Sequence, residues 1–289
     1  MEVSLYVKIQ IAYGTRVKNM PIITKISTQK QKGSRYNIFL DEQYAFSVDE
    51  DVLIRFQLKK GKQITDLEIT QIQQADEIRK AFHVALRFLS FRMRSEQEIR
   101  SHLKKKDWDD SIIDAVLHQL RQEKLTDDLE FAKAYVRTAL NMGRKGPAVI
   151  QQELLKKGIK EPMLEAAIKE YTRDHQIANA IVLGNKFAKQ HHKLSERMRK
   201  QKVEYALSTK GFPFEIINEA MNKIAIEKDE DEEWEAIVRE GDKAKRRFRK
   251  YSGYEYKQRM KQALYRKGFA MDLINRYVEK DAEDAENGE

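Results

Sequence analysis

Hydrophobic positions along this chain fall into a block that occurs four times. The last copy reads Leu264-Tyr265-Arg266-Lys267-Gly268-Phe269, then Leu273-Ile274 and Val278. The same register runs from Leu207 to Phe212 with Ile216-Ile217 and Met221, and from Leu154 to Ile159 with Met163-Leu164 and Ile168. A more divergent copy spans Leu103 to Trp108, with Asp107 in place of glycine, then Ile112-Ile113 and Leu117. Ile99, Ile150, Val203 and Met260 each stand four positions before the leading Leu. Four copies in register make an internal repeat, with a spacing of roughly fifty residues between leading leucines.

Each copy predicts two helices and a corner. Apolar residues four apart share one helix face. A lysine in the last turn suits the exposed carbonyls there. Glycine supplies the left-handed backbone that closes the helix, and the next apolar residue makes the hydrophobic contact that accompanies such a cap. The apolar positions beyond form the buried stripe of a second helix. Two such helices use about thirty residues, which leaves room for a third in each repeat.

The texture before the repeats differs. Tyr36, Ile38 and Leu40, then Tyr44, Phe46 and Val48, alternate about a turn at Asp41-Glu42-Gln43 and predict a hairpin. Asp49 is a candidate cap for a short helix closed at Gly61, and Ile64, Leu67 and Ile69 suggest a returning strand. From Ala75 the period becomes helical, through Ala81, Ala85, Leu86 and Leu89 to about Arg92. Ser95 with Glu98 reads as a capping box, Gly146-Pro147 starts a helix, Ser195 is a further candidate cap, and Ser252-Gly253 breaks two helices of the last repeat. The expected fold is mainly α: tandem three-helix repeats in an elongated array, with a small N-terminal α+β module. The divisions are an extension over 1–21, the module over 22–74, repeats over 75–124, 125–176, 177–226 and 227–280, and an acidic disordered tail over 281–289. Met20 would serve as a start as well as Met1.

Composition narrows the function classes. With 12 Gly, 4 Pro and 35% charged residues in 289, the chain favours helical repeats over a sandwich or an α/β enzyme. The absence of Cys excludes disulfides and thiolate metal sites and fits a reducing cytoplasm. No apolar run is long enough to span a bilayer, so a soluble protein is expected, and it is taken to be a monomer. No phosphate-cradling loop, dinucleotide fingerprint, zinc-helix motif or serine elbow is present, which points away from an enzyme and from any cofactor. His191-His192 has no partner at ligand spacing, so no metal is expected there.

Formal net charge is +9, which suggests a polyanionic or acidic partner. Basic residues gather near one joint of each repeat: Arg92, Arg94 and Arg100 with Lys104-Lys105-Lys106; Arg144-Lys145; Lys186 to Lys202, including Arg199; and Lys243 to Lys250, with Arg246, Arg247, Arg249 and Lys250 just ahead of Tyr251. Any one cluster taken alone reads better as a solvated helix face, but the recurrence suggests that stacked repeats align them into one basic strip. The motif lysines Lys106, Lys157, Lys210 and Lys267 are candidates of the same kind, since helix-end stabilisation and partner contact both explain them. Tyr251, Tyr254 and Tyr256 are the aromatic residues nearest a cluster, and no recognition helix or exposed aromatic platform is evident. Binding to nucleic acid should then be salt-sensitive and weakly sequence-selective.

Several stretches jointly resemble a known family. Ala85 to Ser90, Arg92 to Ile99 and Leu103 look like the first repeat of the bacterial RecX regulatory proteins. Leu125 to Val136 resembles the link into the second repeat of that family, and Gly143 to Gly146 with Leu154 to Ile159 resembles its body. The likeness covers about 75–280, and the module before it resembles the N-terminal extension of longer Gram-positive-type members. The resemblance implies a partner, the RecA recombinase filament on single-stranded DNA, and an action, inhibiting or modulating its assembly in recombination and DNA repair under the SOS response. An autonomous single-stranded DNA-binding protein without recombinase contact is the alternative. Asp107 departs from the pattern of the family, which leaves the geometry of the first corner open.

Overall fold

The structure, a computed structural model, describes residues 20–29, 32–226 and 229–286. Nearly all of the expected N-terminal extension lies outside these residues. The chain divides into two compact units, 1–127 and 128–289. Among the described residues there are three strands and thirteen helices, so the chain is mainly helical with a small N-terminal sheet.

In the first unit, β1 (Ile23–Gln29), β2 (Lys32–Leu40) and β3 (Gln43–Asp49) form an antiparallel sheet in that order. The expected hairpin forms, with Tyr36 opposite Val48 and Ile38 opposite Phe46. Its turn is Asp41-Glu42, with φ of 47° and 69°, the left-handed pair that matches strand twist in a two-residue loop. β1 was not foreseen, because Ile22-Ile23 and Ile26 do not alternate cleanly. Asp49 caps α1 (Glu50–Arg55) as expected, but the helix closes at Gln57, with φ of 50°, well before Gly61.

The returning strand through Ile64, Leu67 and Ile69 does not form. Thr65 accepts from the Glu68 amide at 3.1 Å while the Glu68 carboxylate accepts from the Thr65 amide at 2.9 Å, and this capping box starts α2 (Asp66–Leu89). The helix therefore begins well ahead of Ala75 and serves two cores. Ile72 lies in the core of the sheet, with Ile23, Ile38, Val48 and Val52, and Ala81, Phe82 and Ala85 lie in the core of the first helical repeat. On the same helix, buried Asp76 receives both nitrogens of the Arg35 fork (2.8 and 3.1 Å), the Asp49 amide (2.8 Å) and Lys80 (3.0 Å), tying sheet to helix. Burial pushes the Asp76 carboxyl up, but these donors outweigh it and hold it below the usual Asp value.

The first repeat continues with α3 (Glu96–Lys104), capped by Ser95, and α4 (Asp110–Gln122). Glu98 donates its amide to Ser95 as expected, while its carboxylate pairs with Arg92. The second unit holds three more trios: α5 (Asp128–Met142), α6 (Pro147–Lys156) and α7 (Met163–Ile168); α8 (Arg173–Gln190), α9 (Glu196–Thr209) and α10 (Phe214–Met221); α11 (Glu230–Phe248), α12 (Gly253–Arg266) and α13 (Met271–Glu286). The first two trios share one core and the third has its own. α13 runs through Asp281 to Glu286, so the expected disordered tail is helical over that range. Asp281 holds it, accepting from Lys245 and from the Tyr256 hydroxyl, each at 2.7 Å.

All four corners share one hydrogen-bond pattern. The amides of Trp108, Ile159, Phe212 and Phe269 donate to the carbonyls of Leu103, Leu154, Leu207 and Leu264, at 3.1–3.4 Å. That is the long bond of a left-handed helix cap. Asp107 takes φ of 62° where Gly158, Gly211 and Gly268 take 85–88°, so the first corner keeps the geometry without its glycine. Asp is one of the few non-glycine residues enriched there.

Two of the glycines also meet the preceding repeat. Gly146 donates to the Lys210 carbonyl at 2.7 Å, and Ala148 to the Gly211 carbonyl at 3.2 Å. One repeat later, the Ser195 hydroxyl donates to the Lys267 carbonyl at 2.5 Å. A Cβ on Gly211 would come within 2.7 Å of the Val149 amide, and one on Gly268 within 2.8 Å of Ser195 Oγ.

Two outcomes follow for stability. Asp76→Ala should lower stability by up to about 3 kcal/mol at neutral pH, because it leaves half-buried Arg35 with only Ser47 and the Asp49 amide without its acceptor. Since the carboxyl is depressed in the folded state, that deficit should shrink as pH falls through its folded value, as urea denaturation across the acid range would show. Gly268→Ala should destabilise the second unit more than Gly253→Ala. Both positions have positive φ (88° and 54°), but only Gly268 faces another repeat, and nothing lies within 4 Å of a Cβ at Gly253. Equal losses in thermal unfolding would show that the corner does not lock the repeats.

Candidate nucleic-acid and partner interface

The basic clusters separate into committed and uncommitted side chains. Arg92 forks onto Glu98 (3.1 and 3.2 Å), Lys104 pairs with Asp110 (3.1 Å), and Arg100 pairs with Asp114. Lys145 holds Glu153 at 2.6 Å, and the Tyr135 hydroxyl donates to the same carboxylate at 2.7 Å. Burial raises the Glu153 carboxyl, yet Lys145, Tyr135 and nearby Lys157 leave it lower than usual. Lys157 lies over the rings of Phe131 and Tyr135, at 5.9 and 5.5 Å. Lys267 pairs with Glu240 at 3.0 Å, sharing it with Lys243 at 2.6 Å.

Arg199 is the clearest correction. Its place within the Lys186–Lys202 run suggested a surface cation, but it is buried and caps carbonyls: Ala188 (2.9 Å), Ile226 (3.1 Å) and Ala225 (3.2 Å). Charge density in the sequence does not separate a structural arginine from a free one. The length and fork of the side chain let it take three carbonyls from two segments at once.

What remains uncommitted is a smaller set. Arg144, Lys210, Arg246, Arg247, Arg249 and Lys250, together with Lys186, Lys189, Lys193, Arg197, Lys200 and Lys202 of the third cluster, are exposed and make no ion pair among the described residues. Four of these sit where α11 ends and α12 begins, beside aromatic rings. Arg247 lies over Phe248 at 5.5 Å, Lys250 over Tyr251 at 5.1 Å, and Arg259 over the same Tyr251 at 3.9 Å. Of the three tyrosines, Tyr254 is 80% exposed, Tyr251 is covered by cations, and Tyr256 is tied to Asp281, burial and that carboxylate pushing its hydroxyl far up.

A second uncommitted group lies in the first unit, where α2 hands over to α3. His102 stacks on Phe88 with ring centroids 4.0 Å apart and planes within 1°, and the Arg94 guanidinium lies 3.9 Å from the Phe88 centroid. Phe88 is thus covered on both faces. Phe91, just past the end of α2, is 78% exposed. A hollow of about 200 Å³ is lined by Val84, Arg87, Phe88, Phe91, His102 and Lys106. Arg87, Arg94, Lys105 and Lys106 make no ion pair among the described residues, and Arg94 Nε is buried without a hydrogen-bond acceptor. Burial first, then Lys106, Arg94 and Lys105, holds the His102 imidazole below its usual pKa.

This group overturns the expectation that no aromatic platform is exposed. Phe88 and Phe91 are three apart and would pack together on one continued helix face; α2 stops at Leu89 instead, and Phe91 is released to solvent. Arg87 and His102 went unmarked in the sequence because neither belongs to a run of charge.

No helix among the described residues is long and apolar enough to cross a membrane, and no group of His, Asp and Glu among them is arranged to hold a metal ion.

Comparison with known proteins places these features. Residues 21–65 match the regulatory protein RecX N-terminal domain, and 81–120 and 127–168 match the first and second three-helix domains of RecX. The third three-helix domain matches twice, at 174–221 and 230–278, so the last trio is a second copy of that type. Regulatory protein RecX of Bacillus velezensis is 45% identical over 262 residues, covering 91% of this chain and 100% of the relative. That of Bacillus subtilis is also 45% identical over 262 residues, covering 91% and 99%. A crystal structure of regulatory protein RecX superimposes with a TM-score of 0.65 at 39% identity, over 70% of this chain and 99% of that one. RecX from Lactobacillus salivarius gives 0.50 at 33% identity, over 53% and 99%.

Proposed function

The chain belongs to the RecX family of regulatory proteins, and on that premise we propose that it regulates the RecA recombinase. It binds RecA filaments on single-stranded DNA and inhibits or modulates their assembly and activity in recombination and repair, acting in the cytoplasm as a monomer without a catalytic step. The observation that carries this reading is the set of exposed, unneutralised cations on tandem three-helix repeats, with Arg246, Arg247, Arg249 and Lys250 gathered at one joint. A repeat scaffold presents several weak contacts at fixed spacing, and such contacts reinforce one another through effective concentration. Cations without carboxylate partners are the ones whose counterions are released when phosphate arrives.

The direct test is the single-stranded-DNA-dependent ATPase of RecA, which should fall when this protein is added below the stoichiometry of the recombinase. Unchanged ATPase across the titration would overturn the reading. Equal inhibition of an unrelated filament-former on the same DNA would favour simple competition for the strand.

Reversing Arg246, Arg247, Arg249 and Lys250 to Glu together should weaken binding to the filament and to DNA at low salt. For single strands each lost phosphate contact lowers the slope of log affinity against log salt by about 0.7, so the combined variant should lose up to about 3 from that slope. An unchanged slope would place these side chains on a solvated face.

A further inference from the structure

We propose that the hollow lined by Phe91 and His102 in the first repeat is a nucleobase-binding site, which takes one unpaired base of single-stranded DNA by stacking and holds its phosphates through Arg87 and Lys106. This rests on the single-stranded-DNA half of the reading above and is independent of the recombinase.

The stack comes first. Phe88 and His102 are parallel within 1° at 4.0 Å, so α2 and α3 fix a ring pair whose outer imidazole face is flat. Arg94 covers the far side of Phe88 at 3.9 Å and leaves the next layer to be added on the His102 side. Phe91, 78% exposed although apolar, lines the same hollow as His102. Two rings lining one hollow offer aromatic surface to a flat ligand, and every base has a π-face.

Size and charge then choose among flat ligands. At about 200 Å³ the hollow is smaller than the roughly 300–1,000 Å³ of sites that enclose a whole cofactor or drug-sized ligand. It suits one base whose sugar and phosphates stay outside. No carboxylate lines it, and the cations that do, Arg87 and Lys106, make no ion pair among the described residues, in contrast to Arg92, Arg100 and Lys104 nearby. An uncompensated cationic rim on an aromatic hollow is the chemistry of a single-stranded nucleic-acid contact. An acidic peptide would satisfy the rim and leave the hollow unfilled. A duplex would hide its base faces in its own stack.

Stacking and phosphate pairing are both tolerant of base identity, so a site that holds bases this way discriminates among them weakly. A weak sequence preference, expected above from the basic clusters, then has a local cause.

The experiment compares two probes on the full chain without recombinase: a fluorescent oligothymidylate and an abasic oligomer of the same length and charge, by anisotropy at low salt. Phe91→Ala should weaken oligothymidylate binding about tenfold, the loss of one stacked base, and leave the abasic oligomer unchanged. Phe91→Trp should restore it. Equal losses on both probes would reduce the site to charge and overturn the proposal. So would oligothymidylate binding unaffected by Phe91→Ala, including the case in which that variant weakens only the contact with RecA. If the wild-type chain binds no oligothymidylate at all, the site falls while the recombinase reading stands, since that reading is judged by ATPase inhibition.

Discussion

A main-chain bond at the repeat corner sets most of what this protein presents. The carbonyls of Lys210 and Lys267, exposed because each helix has just ended, are taken by the first residues of a helix in the preceding repeat, Gly146 and Ser195. A helix end leaves its last carbonyls without partners, and a buried one needs them satisfied. Here the cap of one repeat supplies the donor for the next, and the glycine that closes the helix also permits the approach. The motif therefore acts through its backbone. Its lysine side chains go separate ways: Lys267 to Glu240, Lys157 over Phe131 and Tyr135, Lys210 to solvent.

That separation explains why a repeated sequence does not yield a repeated charge pattern. Each basic cluster is edited by its own carboxylates and carbonyls. Glu98, Asp110 and Asp114 withdraw cations from the first repeat, Glu153 withdraws Lys145 from the second, and the Ala188, Ala225 and Ile226 carbonyls take Arg199 from the third. Exposed surface pairs contribute little stability, so their main effect is on what remains available to a partner. Among the surviving cations, those at the end of α11 and around the ring stack of α2 and α3 are the ones with aromatic faces rather than carboxylates beside them.

The small sheet is joined to the helices by different means. A single α2 enters both cores of the first unit, and Asp76 on it collects donors from Arg35, Asp49 and Lys80. Such a pair favours one arrangement over others more than it adds net stability, because the desolvation of both charges offsets much of their attraction. The module and the first repeat are thereby built as one body.

By itself the sequence determined the helical class, the four corners, the caps at Asp49, Ser95 and Ser195, the helix start at Gly146-Pro147 and the break at Ser252-Gly253, because these depend on residues within a turn or two of one another. The start of α2 was legible too, in Thr65 and Glu68, but the apolar residues Ile64, Leu67 and Ile69 suggested a strand and masked it. Only the tertiary structure decided which cations are free, that Arg199 is internal, that α13 is held helical by Asp281, and that Phe91 and His102 line one hollow. Those outcomes depend on residues tens of positions apart that meet only after packing. Local pattern carries backbone conformation, whereas the fate of a long charged side chain is set by whichever partner the fold brings within reach.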